Sequence, residues 1–497
     1  MRLLAIFLAL TAISLSSLAD ELLAGVAKVD ITHPKLSAGD NPLFAKALVL
    51  KSGETTAVLV TIDAVAIAEI GNIKDPFLAN VRAALAKNPG IDPKSLIVNA
   101  SHCHGVVAPD VEARTVRAVR EAFENLVPVH AGTGAGLENR VQENRRLLLK
   151  NGKESDVRHA YALPPNDAVA AVGPVDPEIG ILKLDHADTG EPFAIVYNFA
   201  CHPIQGAPSG GNTADLSGFA SKAIEESLGG DVVALFVQGC GGDINPAYYK
   251  DVNRPHDGRP LGNQLALSVL KALHEIETKP EAKLKIVNET LDVPRADHSK
   301  RIGEMETEIT DTLTKISGTS LNLDTFLPLF VKYHLDPNSP SYSSHRYLQD
   351  EYLENQDWKT LDARNINDMK KYVANIRLLE EFTRQQVNLA LLNKHQKRFT
   401  EEKGKPVETE VAGLRVGDFR MVTFPAEVTV EVGLNIKNKS PHKSTFVAGY
   451  TNGYLYYAPT KKQAQNRGGA QEDSDCMLAP EWQDLFETKV AEILKGL

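Results

Sequence analysis

Apolar positions in the first half of the chain switch between period-two runs and helical stretches. Residues 47–51 and 57–63 read as strands joined by a Ser52-Gly53 turn. An amphipathic stretch over 76–87 predicts a helix, and the apolar run 95–100 after it reads as a buried strand. A second helix is expected over 111–123. Strands follow over 180–184 and 193–199, then a helix over 216–228 and an apolar strand over 232–237. Strands alternating with helices in this way predict a layered α/β core.

The pattern changes near residue 297. From there to about 403 the chain is charged, poor in glycine and helical in period, most clearly over 366–399. Two readings fit: a helical insertion bordering a cleft like a lid, or an ordinary packed helical layer. Strands resume over 408–416, 419–424 and 445–449, and Pro480 opens a terminal helix reaching 497. There are no internal repeats.

Composition narrows the class. A chain of 497 residues, 43% hydrophobic and 24% charged, is a folded one, long enough for a single large domain with an insertion. A formal charge of -10 without a long basic block leaves no footprint for nucleic acid. Four cysteines are too few to build the fold from disulfides. Met1-Arg2, the apolar run 3–15 and the small residues ending at Ala19 read as a signal peptide over 1–19. That run is short for a bilayer span of about 20 residues, and nothing later resembles one. The mature chain, 20–497, is expected to be secreted or periplasmic, with no integral membrane segment.

Five segments carry candidate chemistry. Asn99–Gly105 places His102 and His104 two apart beyond an apolar strand; continued alternation would put both on one face and Cys103 on the other. Such a pair suits a metal site, or one metal ligand with a neighbouring acid/base, and equally a structural pair. Residues 196–203 again end a strand in a histidine, His202, ahead of Pro203. The run 236–246 is a glycine-rich loop containing Gly242, Asp243 and Asn245; it lacks the end of a P-loop, and reads as a ligand-approach loop or a tight turn. Glu427 follows a strand, and 449–457 is a tyrosine cluster whose plain reading is core or ladder.

In this order the segments resemble the neutral/alkaline, non-lysosomal ceramidase family. The matches are Ser101–His104, Asn198–Pro203, Ala214–Gly218, Gly242–Pro246, Pro425–Glu427 and Gly449–Tyr457. They span nearly the whole mature chain, with 297–403 the least recognisable part. The resemblance implies a zinc amidase with one Zn2+ per chain, held by His102, His202, Glu427 and Tyr457, which activates a water for attack on an amide. It implies an acid/base or oxyanion-stabilising role for His104, a polarising role for Arg145 in Glu143-Asn144-Arg145-Arg146, and substrate contacts from Gly242, Asp243, Asn245 and Tyr454.

The chain also departs from the family pattern. Asn245 stands where the family has a serine proposed as nucleophile, which excludes serine acyl chemistry there. Cys103 and Cys201 replace threonines, and a bond between these two is left open. Gly105 replaces a serine, the stretch 467–473 differs, and the chain ends at Leu497 without room for an immunoglobulin-like domain. The expected substrate is therefore a small molecule or lipid bearing an N-acyl amide, ceramide or something smaller. An ester, glycoside or phosphoester hydrolase and a non-catalytic binding protein on the same scaffold are the alternatives. Oligomeric state is not legible.

Overall fold

The computed structural model describes residues 21–156, 164–206, 211–251, 253–280, 282–337, 352, 357–466 and 470–497. Residues 1–19, read above as a signal peptide, and residues 467–469 of the divergent stretch lie outside the described residues.

The main sheet has eight strands: β1 Leu23–Asp30, β2 Phe44–Ser52, β3 Thr55–Ile62, β4 Leu96–Ala100, β5 Val127–Leu137, β6 Glu178–His186, β7 Pro192–Phe199 and β8 Val233–Gln238. Their order is β8-β7-β6-β5-β1-β2-β3-β4. The pairs β3–β4 and β7–β8 are parallel and the others antiparallel. The sheet folds back on itself, because its two edges meet: the Gln238 N–H at the end of β8 donates to Asn99 Oδ1 of β4 at 2.8 Å. Side chains of alternating direction then serve two cores. Leu48, Leu50 and Leu59 face inward onto Leu182, Val196 and Leu235 of the opposite half.

The outward residues meet helices. Ala47, Val49, Val58 and Val60 pack with α1 (Phe77–Lys87) and α2 (Val111–Glu124) through Val81, Leu85, Val116 and Val119. On the other half, Ile181, Ile195 and Tyr197 pack with α3 (Asp215–Leu228) and α4 (Arg259–Leu273). A second sheet, β9 Leu284–Val293, β10 Val407–Val416, β11 Phe419–Thr423 and β12 Thr445–Ala448, adds Met421 and Phe446 to the inner core. This is the layered α/β architecture that the pattern predicts, with most element ends shifted by a few residues or fewer. The strands β1, β5 and β9 and the helix α4 add to it.

Region 297–403 is helical as expected: α5 Ser299–Thr314, α6 Leu323–Leu335 and the long α7 Asp357–Glu401. Its own buried apolar cluster is small, Met305, Ile309 and Leu392. No helix among the described residues is long and apolar enough to cross a membrane. All four cysteines are buried free thiols. Cys103 packs in the cluster facing α1 and α2 and Cys201 in the cluster facing α3 and α4, so the bond between them that the sequence left open does not form.

Candidate metal centre

β4 stops at Ala100, and the continued alternation expected of 102 and 104 does not occur. The Ser101 N–H donates to Ile62 O at 2.9 Å and the His102 N–H to Ala64 O at 3.0 Å, which turns the chain off the end of β3. His102 adopts a left-handed backbone, φ 65°, costing a non-glycine residue about 1–2 kcal/mol. The consequence is a division of labour: His102 is buried and His104 exposed, with the two rings edge to face at 5.4 Å. His202 leaves β7 in a comparable way, its N–H donating to Ile244 O at 3.0 Å.

Both imidazoles are oriented by main-chain oxygens. His102 Nδ1 lies 2.6 Å from Val65 O, and His202 Nδ1 lies 2.9 Å from Ile244 O. A carbonyl only accepts, so each Nδ1 carries the proton and each Nε2 presents its lone pair. Those Nε2 atoms converge on Glu427 Oε2, at 3.5 Å from His102 and 3.1 Å from His202. Glu427 is placed by the short strand Glu427–Val428, whose parallel partner is Tyr457–Ala458, with Glu427 opposite Tyr457. Ligand atoms of His102, His202 and Glu427 lie within 4.8 Å of one another and all three side chains are buried. This donor set, two neutral imidazoles and a carboxylate, fits a divalent metal ion.

Electrostatics agree with that fit. Burial pushes the His102 imidazole down to about 4, with the nearby Glu427 carboxylate opposing, and burial likewise lowers His202. Burial alone would raise Glu427, yet His102 and His202 hold it well below the usual carboxylate range. Tyr454 donates its hydroxyl to Glu427 Oε1, and the Tyr450 hydroxyl donates to Oε2 at 3.4 Å. The tyrosine cluster is thus not a strand ladder. Tyr450, Asn452 and Tyr456 take left-handed turns at φ 52°, 60° and 58°, and within this irregular run Tyr450 and Tyr454 both reach the Glu427 carboxylate while Tyr456 reaches Glu69.

Arg145 is 1% exposed and ties the remaining candidates together. Its Nη2 donates to Tyr457 OH at 3.0 Å and to Gly242 O at 2.5 Å, its Nη1 to Asn245 Oδ1 at 3.2 Å, and its Nε to Glu472 Oε1 at 2.7 Å. Burial would lower the guanidinium, but Tyr457 and Glu472 keep it well above its ordinary value. Gly242 has no room for a side chain: a Cβ there would stand 2.4 Å from Glu427 O. Asp243 is fully buried; it accepts the Val430 N–H at 2.8 Å and Asn144 Nδ2 at 3.1 Å, which locks the loop to the first residue of helix α8, Val430–Lys439.

The structure therefore brings His102, His104, His202, Glu427, Tyr454, Arg145, Gly242 and Asn245 to one place, with Tyr457 in contact through Arg145. Sequence reasoning missed Tyr450, the Val65 carbonyl and Glu472. The last sits in the stretch that departs from the family pattern, beside Asp473. Both acids are buried against the double arginine, Arg146 Nη2 reaching Glu472 at 3.1 Å and Asp473 at 2.8 Å. An Arg-Arg and a Glu-Asp dipeptide in one chain was the available signal.

A cleft of about 290 Å³ adjoins the centre at Tyr454, and Glu69, Asp75, Glu408 and Glu410 line it. A larger one, about 630 Å³, lies away from His102, His202 and Glu427, around Lys28, Lys46 and Glu225.

Fold and site together define a layered α/β protein with a buried His-His-Glu centre of metal-binding chemistry. No family model matches the chain, and no curated protein matches it by sequence. Among solved structures it is similar to the neutral ceramidase from Pseudomonas aeruginosa, with a TM-score of 0.59 and 16% identity over 96% of this chain and 75% of that one. It is also similar to a ceramidase complexed with C2, with a TM-score of 0.58 and 15% identity over the same shares. At this identity the likeness is one of fold.

Proposed function

We propose that this chain is an exported zinc-dependent amidase of the neutral ceramidase type, hydrolysing an N-acyl amide that is either ceramide-like or smaller. The observation that carries the reading is the convergence of His102 Nε2 and His202 Nε2 on Glu427, with both Nδ1 atoms tied to carbonyl oxygens. The fold likeness to ceramidases supports it. We take residues 20–497 as one hydrolase domain, with 297–403 inserted.

One zinc ion, held by His102, His202 and Glu427 with Tyr457 as fourth ligand, would polarise the amide carbonyl and lower the pKa of a water at the site. Tyr454 keeps Glu427 Oε1 engaged, which leaves Oε2 facing the imidazoles. Arg145 holds the Tyr457 hydroxyl and adds a fixed positive charge where negative charge develops on the substrate oxygen. His104, exposed beside His102, carries the proton to the departing amine. Asn245 has no nucleophilic atom and serves the substrate as a hydrogen-bonding group. Gly242 lets the loop approach closely, and Asp243 acts on substrate only by holding that loop.

Metal analysis of purified protein tests the reading, alongside His102→Ala and Glu427→Ala. About one zinc per chain is expected in the wild type. Each variant should lose the metal and at least about 100-fold of amide hydrolysis. A wild type that takes up no zinc and cleaves no amide after zinc addition sinks the proposal.

A further inference from the structure

Beside Arg145, three polar side chains have hydrogen-bonding capacity that no described residue uses. Asn245 is 0% exposed, and its Oδ1 accepts from Arg145. A guanidinium only donates, so the amide oxygen must face Arg145 and Nδ2 must face away. That Nδ2 has no partner. Glu143 stands directly opposite Asn245 in the antiparallel pair Gln142–Asn144 with Ile244–Pro246. Opposite residues of such a pair project from the same face.

Glu143 is half-buried and makes no hydrogen bond among the described residues. The charged group that faces it is Lys250, from the turn after the partner strand. Lys250 is also half-buried, lies over the Tyr249 ring at 5.0 Å, and forms no ion pair among the described residues. Burial pushes the Glu143 carboxyl up to about 7 against the attraction of Lys250, and the Lys250 ammonium down to about 8 against the attraction of Asp156 and, more weakly, Glu143. Buried and half-buried polar groups are normally paired. Here a donor, an acceptor and a cation are left over together, two hydrogen bonds from Tyr457.

We infer that Asn245, Glu143 and Lys250 form a subsite for the amine half of the substrate, and that the substrates are N-acyl amino acids. The substrate carbonyl accepts from Asn245 Nδ2, the amide N–H donates to Glu143, and the free carboxylate pairs with Lys250. An amide without that carboxylate leaves the ammonium unpaired and binds less well. This deepens, and rests on, the amidase reading.

Calorimetric titration of the metal-free protein with N-octanoylglycine and N-octanoylmethylamine, which differ by one carboxylate, tests the subsite without turnover. The wild type should bind the glycine compound at least about tenfold more tightly. Lys250→Met should shrink that gap to within about threefold by weakening the glycine compound, and Lys250→Arg should keep most of it. Equal binding by the wild type, no binding of the glycine compound, or equal losses for both ligands in Lys250→Met overturns the inference; the wild-type comparison stands whether or not a variant folds. Hydrolysis by zinc-loaded protein separates the two claims. Selective binding without cleavage keeps the subsite and removes the amidase, whereas cleavage with no carboxylate preference does the reverse.

Discussion

Phe424, Trp482 and Phe486 meet in the core with ring centroids 4.4 to 5.9 Å apart, and all three are 0% exposed. Helices α5 and α7, by contrast, share only the small cluster of Met305, Ile309 and Leu392. Leu323, Leu327, Val331 and Leu335 of α6 stand at 47% to 82% exposure. The α/β layers are thus held by apolar burial, and the helical region is joined to them by polar ties. Arg384 meets Asp156 at 3.0 Å, His395 meets Asp475 at 2.8 Å, and Arg398 meets Glu69 at 2.7 Å. Two of these ties end beside the candidate metal centre. The Tyr456 hydroxyl donates to Glu69 at 3.2 Å, and the Tyr457 N–H donates to Asp475 O at 3.1 Å. Through these contacts the helical region 297–403 borders the candidate site.

The contrast predicts a graded response to mutation. Trp482→Ala opens a cavity in the aromatic stack and should cost about 3–5 kcal/mol in denaturant unfolding. A smaller effect is expected at Asp63, where β3 ends. Burial pushes this carboxyl up to about 6, although Lys46 pulls it down. The native chain therefore binds this proton below about 6 and the unfolded chain only below the ordinary 3.8. Stability should fall as pH rises through that window, and Asp63→Asn should flatten this part of the profile by about 1–2 kcal/mol. Least of all, Leu327→Ser on the exposed face of α6 should move stability by no more than about 0.5 kcal/mol. A loss as large as that of Trp482→Ala would mean that α6 is buried in solution, and the contrast between the regions would fail.

Legibility in the sequence followed the range of the interactions involved. β4 and β7 could be read because an apolar run and its terminal histidine are adjacent in the chain. β5 could not, since Val127–Leu137 carries three glycines, Gly132, Gly134 and Gly136, which hide its period. These glycines admit Ile276, Glu277 and Ala272 at close range, a fact belonging to tertiary packing. The site shows the same division. The ligand residues came from short motifs and a family resemblance, but the left-handed turn at His102 depends on Ile62 and Ala64. Tyr450 likewise reaches Glu427 only through backbone turns that no local pattern announces. Glu472 was passed over because its partner, Arg145, lies 327 residues earlier.

The distances along the chain have a temporal meaning. His202 and Glu427 touch although 225 positions apart in the chain, and Arg145 meets Tyr457 at a separation of 312. Loops this long close late and slowly during folding. No stretch emerging early from synthesis holds the three candidate ligands together, so a partly made chain presents lone histidines, each a weak and unselective site for metal. The three-residue centre comes into being only once the segment carrying Glu427 has docked, so any metal it took up would report completion of the fold.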